Sequence, residues 1–175
     1  MPAKVIPREF TGDQATLKQR SQRIVKALSD LAITHAVGVP DNATRVIFEL
    51  LTAAPDIQVV PVCREGEAWA IASGLWVGGK SPVVIIQNTG FLESGDGLRG
   101  TAIEMGVPIL ALMDYRGHHT LPGPDADSAA RFFEPTLRAW QLPYHFLEDN
   151  LEAQILSAAF KEACDLGRPV GVLIT

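Results

Sequence analysis

The sequence predicts a three-layer α/β/α domain built on a six-stranded parallel sheet, and three observations lead there. Short apolar runs such as Pro82-Val83-Val84-Ile85-Ile86-Gln87 continue without polar interruption. Such runs suit strands covered on both faces rather than half-solvated ones. Segments of helical character separate these runs, and strand-helix alternation gives parallel strands joined by crossover helices. Finally, 175 residues with 47% hydrophobic and 20% charged content suffice for one ordered core.

The elements follow in order. Thr11 and Gln14 form a capping-box pair, which predicts a helix running to about Leu31 behind an N-terminal extension, residues 1–12. The first strand is read over 34–39, Thr-His-Ala-Val-Gly-Val, and a helix over 42–53 follows Pro40-Asp41-Asn42. Ile57 to Val62 form the second strand, and a helix over 66–78 is rich in small residues (Ala68, Ala70, Ala72, Ser73, Gly74). These would let that helix approach another surface closely. The third strand spans 82–87 and the fourth 108–113, Pro-Ile-Leu-Ala-Leu-Met, with a helix over 93–105 between them. Asp114 to Ala126, with Gly117, Pro122, Gly123 and Pro124, is the longest irregular stretch, and loops of that length are more often functional than idle. A helix over 127–140, a strand over 143–146, a helix over 150–166 and a strand over 169–174 complete the pattern. No internal repeat or low-complexity linker divides the chain, so residues 1–175 read as a single domain.

Composition excludes several function classes. A net charge of -5 without a Lys/Arg cluster argues against a nucleic-acid partner, and Lys18, Arg20 and Arg23 read as the solvated face of the first helix. Cys63 and Cys164 lie far apart with no Cys-x-x-Cys or Cys/His company, which argues against a disulfide framework or zinc site and points to a reducing cytoplasm. Met1 to Asp13 lacks the apolar core of a signal peptide, and no apolar run reaches spanning length, so no membrane partner is expected.

In a parallel sheet, the loops after the strands' carboxyl ends share one rim, where ligands bind. Here these loops carry Pro40-Asp41-Asn42, Arg64-Glu65, Gln87-Asn88-Thr89-Gly90 and Asp114-Tyr115-Arg116-Gly117-His118-His119. Each has an ordinary alternative. Asp41 or Asn42 could cap the next helix, and Glu65 could complement its helix dipole. Gln87-Asn88-Thr89-Gly90 could be a self-bonded turn, and His118-His119 could be exposed loop residues. Arg116 closes a strand and suits an anionic substrate group, or else a structural carboxylate. No third ligand accompanies the histidines, and no metal ligands are assigned.

Together these segments carry a resemblance. Gly38-Val39-Pro40-Asp41, Arg64-Glu65-Gly66-Glu67-Ala68, Gln87-Asn88-Thr89-Gly90, and Gly106-Val107-Pro108 through Arg116-Gly117 occur in the order and spacing of one family. The chain resembles the pyrimidine-binding domain of thiamine diphosphate-dependent 2-oxoacid decarboxylases, in the branch of the sulfopyruvate decarboxylase α subunit and phosphonopyruvate decarboxylase. The similarity runs from about Thr34 to Thr175.

The resemblance implies a thiamine diphosphate-binding fold of the pyrimidine type. It implies that Glu65 hydrogen-bonds N1′ of the aminopyrimidine and so activates the cofactor toward the carbonyl carbon of a 2-oxoacid. Glu67 lies two residues further on the helix and points elsewhere. Gln87, Asn88, Thr89 and Gly90 become cofactor-binding residues, and Arg116 and Asn42 substrate-binding ones. Asp41 and the His118-His119 pair match proton-relay positions of pyruvate decarboxylase-type enzymes, although Arg116-Gly117 matches the sulfopyruvate and phosphonopyruvate branch. Gly95-Asp96-Gly97 imitates the start of the family's magnesium-diphosphate motif, but it sits in a helical stretch and lacks the downstream Asn. Mg²⁺ and the diphosphate would therefore be held by a partner β subunit. A chain ending at Thr175, just after 167–174, stops where a pyrimidine domain should stop. The expectation is one subunit of a split decarboxylase, working in an α₂β₂ or larger complex on an anionic 2-oxoacid, with the Glu65 helix at a subunit interface. A carboligating enzyme of the same cofactor and a non-catalytic α/β binding domain are the alternatives.

Overall fold

In the computed structural model, which describes residues 14–175, six strands hydrogen-bond in parallel. They are β1 (His35–Gly38), β2 (Gln58–Pro61), β3 (Pro82–Gln87), β4 (Leu110–Asp114), β5 (Tyr144–Phe146) and β6 (Val170–Ile174), in the spatial order β2-β1-β3-β4-β6-β5. The helices are α1 (Gln14–Asp30), α2 (Arg45–Thr52), α3 (Glu65–Val77), α4 (Asn88–Gly97), α5 (Ser128–Ala139) and α6 (Glu152–Leu166). The three-layer α/β/α expectation holds. Thr11 and the extension over 1–12 lie outside the described residues.

Strand side chains alternate between two apolar layers, because successive residues face opposite sides of a sheet. Val83 and Ile85 pack with Leu28 of α1, Phe48 of α2 and Leu156 of α6. Val84 and Ile86 pack with Trp69 of α3, Phe91 of α4 and Phe133 of α5. Burying one such side chain stabilises the fold by about 1.5–3 kcal/mol. The unbroken Val/Ile runs of β3, β4 and β6 thus follow from two-sided burial. The same expectation fails for Ile57 to Val62: β2 is an edge strand, Val59 and Val60 are only half-buried, and Pro61 is exposed. An edge is where a strand proline is tolerated.

One surface expectation is corrected. Arg20 and Arg23 are not a solvated face. Arg20 donates to the carbonyls of Thr175 (3.0 Å) and Leu147 (2.6 Å), where the β5 and β6 strands end. Arg23 grips the buried Glu152 at the start of α6 through Nε (3.0 Å) and Nη2 (2.8 Å). Burial alone pushes the Glu152 carboxyl up, but the Arg23 hydrogen bond and nearby backbone N–H groups outweigh it and hold the group below its usual range. Lys18 does remain exposed.

The sheet's topology creates the crevice. The chain leaves β1 toward β2, then returns to place β3 on the other side of β1. Ligands in open α/β sheets bind outside the carboxyl ends at such a reversal. Gln87 ends β3 there, and the 39–44 loop follows β1. Among the described residues, no helix is long and apolar enough to cross a membrane.

Candidate active site

Glu65 is the first residue of α3, and its neighbours explain why the helix starts there. Arg64 is extended (φ -140°, ψ 143°), and Glu67 reaches back to accept from the N–H groups of Arg64 and Cys63, both at 3.3 Å. Glu67 is therefore the capping residue, which separates its role from that of Glu65. Arg64 also pairs with Glu93 of α4, donating from Nε at 2.9 Å and from Nη2. The second Glu93 oxygen accepts from the Gly66 N–H at 3.1 Å. These hydrogen bonds, from Arg64 first and Gly66 next, hold the Glu93 carboxyl below its usual range.

Glu65 is different. Among the described residues its carboxylate takes no hydrogen bond, although the carboxylates beside it are occupied. It is half-buried at a helix N-terminus, whose dipole favours negative charge by about 0.3–1 kcal/mol. The side chain lies across Gly90: a Cβ there would sit 2.3 Å from Glu65 Cγ and 2.4 Å from Oε1.

Gln87-Asn88-Thr89-Gly90, expected as a loop ahead of a helix over 93–105, instead runs straight from strand into helix. Gln87 is the extended N-cap (φ -97°, ψ 162°), and Asn88 opens α4. α4 kinks at Gly95 (φ 41°, ψ -115°) and continues as a π-helical segment, Leu98–Ile103. Most polar groups of the first turn are committed. Gln87 Nε2 donates to Asp41 Oδ2 (2.8 Å) and to Asp114 Oδ2 (3.3 Å), and its Oε1 accepts from the Thr89 hydroxyl (2.8 Å). Asn88 is fully buried and donates to the Arg116 carbonyl at 2.9 Å, while its Oδ1 has no partner.

The other predicted residues divide. Asp41 acts as a cap: its Oδ1 accepts from the N–H groups of Ala43 and Thr44 (both 2.8 Å) and the Thr44 hydroxyl (2.9 Å). It thereby delays α2 to Arg45, and Asn42 is an exposed residue of the intervening turn. Arg116 donates to Asp127 at 3.1 Å, the structural carboxylate that was its alternative. Asp127 also caps α5 by accepting from the Ala129 N–H at 2.8 Å. The backbone between them turns at Gly117 (φ 80°), where a Cβ would come within 2.5 Å of Asp127 Cβ. His118 packs on Tyr115 (ring centroids 4.8 Å) and Phe146 (5.8 Å), while His119 is exposed. Burial, with Glu134 beside it, pushes the Tyr115 hydroxyl pKa up, so it stays neutral.

The structure thus brings Glu65 onto Gly90, Asp41 onto Gln87, and Asn88 under Arg116; it gives the histidine pair separate surroundings. Sequence reasoning missed Glu93 and Asp127 as contributors and gave Asp114, named in the fourth rim loop, no role. Asp96 of the Gly-Asp-Gly segment is exposed and pairs with Arg99. The residues present fit a thiamine diphosphate pyrimidine ring at Glu65, whose half-buried carboxylate takes no donor among the described residues and lies in the space that Gly90 leaves open. A ring that offers an N–H donor suits that carboxylate.

Known proteins share sequence with this chain. The sulfopyruvate decarboxylase subunit alpha of Methanothermobacter thermautotrophicus is 32% identical over 97 residues, covering 55% of this chain and 59% of the relative's length. The corresponding protein of Methanococcus maripaludis is 23% identical over 155 residues, 88% of this chain and 93% of the relative. The phosphonopyruvate decarboxylase of Streptomyces viridochromogenes is 29% identical over 94 residues, 54% of this chain but 24% of that longer protein. Residues 19–125 match the family described as thiamine pyrophosphate enzyme, N-terminal TPP binding domain. The chain belongs to this family of thiamine diphosphate-binding domains.

Proposed function

We propose that this chain is the α, pyrimidine-binding subunit of a split thiamine diphosphate-dependent 2-oxoacid decarboxylase, a carbon-carbon lyase acting on a sulfopyruvate- or phosphonopyruvate-like substrate. The observation that carries the reading is the Glu65 carboxylate, half-buried, laid across Gly90 and unengaged by any donor among the described residues. When bound, the cofactor supplies a carbon nucleophile and a sink for the electron pair released with carbon dioxide. Glu65 holds a proton at N1′ of the aminopyrimidine. A positioned acid-base group of this kind contributes ~10²–10⁴-fold in rate.

Other residues serve that contact. Gly90 leaves room for the Glu65 side chain, and Gln87 and Thr89 stiffen the first turn of α4. Asn88 offers its unused Oδ1. Arg116 keeps guanidinium N–H groups beyond its single Nη2 contact with Asp127, and these take the anionic tail of the substrate. His119, exposed on the same loop, is the acid-base candidate of the pair, and His118 anchors that loop through its aromatic neighbours. Asp41 fixes Gln87.

Mg²⁺ and the diphosphate fall to a β subunit, in an α₂β₂ or larger complex. The α3 surface supports this: Ala70, Ile71, Gly74, Trp76 and Val77 are exposed on a helix that is apolar on nearly every side. A helix of that kind is ordinarily covered. The complex belongs in the cytoplasm, where the exposed thiols of Cys63 and Cys164 stay reduced.

The test is a titration of thiamine diphosphate and Mg²⁺ into this chain with and without the candidate β subunit. Partner-dependent binding and 2-oxoacid decarboxylation, both impaired in Glu65→Gln, are expected. Decarboxylation by the purified chain alone would overturn the split-enzyme reading, and full activity in Glu65→Gln would overturn the assignment of Glu65.

A further inference from the structure

The three carboxylates around the start of α3 have unequal duties. Glu67 caps the helix from within it. Glu93 reaches across from α4 and is bonded to the residues on either side of Glu65: the Arg64 guanidinium through Nε (2.9 Å) and Nη2, and the Gly66 N–H (3.1 Å). Among the described residues, the Glu65 carboxylate between those anchored neighbours takes no hydrogen bond. The same seam is closed further along. Gly97 of α4 meets the Gly66 backbone, where a Cβ would fall 2.7 Å from the Gly66 carbonyl oxygen. Trp69 Nε1 donates to the Ser94 hydroxyl (3.0 Å), which donates to the Gly90 carbonyl (2.6 Å).

From this we infer that Glu93 is the positioning residue for Glu65: by tying residues 64 and 66 to α4, it fixes where the Glu65 carboxylate stands over Gly90. The inference rests on the reading of Glu65 as the cofactor-activating carboxylate. Its physical basis is leverage. Among the described residues the Glu65 carboxylate has no hydrogen bond of its own, so the direction of that side chain depends on the backbone that the two flanking residues anchor. Both flanking contacts end on one carboxylate, which the Arg64 and Gly66 donors hold below its usual range. Removing that carboxylate leaves Glu67 to cap the helix and the Trp69–Ser94 bond to hold the seam, so α3 persists while the backbone on either side of Glu65 loses its tie to α4. A displacement of roughly 1 Å at a catalytic group costs up to ~10²-fold in rate.

The experiment is a double-mutant cycle on the complex of this chain with its β subunit, using Glu65→Gln, Glu93→Ala and the double variant. Glu93→Gln serves as a second, size-conserving probe that retains an acceptor for Gly66. Thiamine diphosphate affinity by equilibrium titration, kcat, KM for the 2-oxoacid and thermal stability are read for each. Glu93→Ala is expected to weaken cofactor binding and lower kcat by roughly tenfold or more with KM unchanged. Glu93→Gln should fall between it and the parent. In the Glu65→Gln background, Glu93→Ala should have no further effect, because its influence runs through Glu65. A residue with a merely structural role would lower kcat and affinity by the same factor in both backgrounds, and that additive result overturns the inference. So does parent-like affinity and kcat in both Glu93 variants, provided Glu65→Gln is impaired. If Glu65→Gln itself matches the parent, the underlying functional reading fails instead.

Discussion

Replacing Gly90 with alanine separates activity from stability. The added Cβ would stand 2.3 Å from Glu65 Cγ, 2.4 Å from Oε1 and 2.5 Å from Cδ. Ordinary carbon contacts begin near ~3.5 Å, so the Glu65 side chain must retreat by about 1 Å. It has somewhere to go, since it is only half-buried and makes no hydrogen bond. Because Cγ is the nearest atom, the whole Glu65 side chain must rotate, and the about 0.5–1 kcal/mol that Gly→Ala inside a helix returns by reducing the freedom of the unfolded chain offsets part of that cost. In a domain of this size the returned part corresponds to roughly 2–4 °C in Tm at most. Catalysis has no such offset: a carboxylate displaced by about 1 Å loses up to ~10²-fold in kcat. Steady-state decarboxylation by the reconstituted complex, alongside thermal unfolding of the same preparation, measures both. Undiminished kcat with an unchanged Tm would refute the reasoning, because it would mean that Glu65 does not work from its position over Gly90.

Other expectations are sharper in one direction. Glu65→Gln, measured on the same complex, should lower kcat by ~10²–10⁴-fold while changing stability by less than about 1 kcal/mol, the value of one charge at a helix start. Gly117→Ala forces a side chain into φ 80° and against Asp127, so chemical denaturation should show a loss of roughly 1–3 kcal/mol. The pH dependence of unfolding should report the Glu152–Arg23 pair. The folded-state pKa of Glu152 is depressed from 4.5, so its contribution is fully present above that value and lost as pH falls through the lower, folded one. Glu152→Gln should flatten the acid side of the stability profile; an unchanged slope would show that the pair does not titrate as described.

The sheet was legible because burial on both faces leaves a mark in every residue: β3 spans 82–87 as read from its Val/Ile run. Edge strands carry a weaker mark. The 57–62 run is as apolar as its neighbours, yet β2 has a partner on one side only. Gln87-Asn88-Thr89-Gly90 misled for a different reason. Asn, Thr and Gly favour turns in isolation, but Asn88 is held by a carbonyl 28 residues away, and Gly90 is set by the side chain of Glu65. Glu65 itself was readable from its place after a strand. Glu93 was not, since its partners lie 27 to 29 residues earlier and no local period connects them. Asp127 was hidden similarly: the sequence shows it only as the first residue of the helix over 127–140, and its ion pair with Arg116 appears only once the loop closes at Gly117.

The outward face of α3 also bears on how the protein is made. Ile71, Trp76 and Val77 stand in water, and Gly74 has open space above it. Copies synthesised in excess of whatever covers that helix carry a sticky surface, the kind that aggregates or is picked up by quality control. The steady level of the folded chain would then track the supply of its covering partner rather than its own synthesis, and balanced co-expression becomes a condition for obtaining it in quantity.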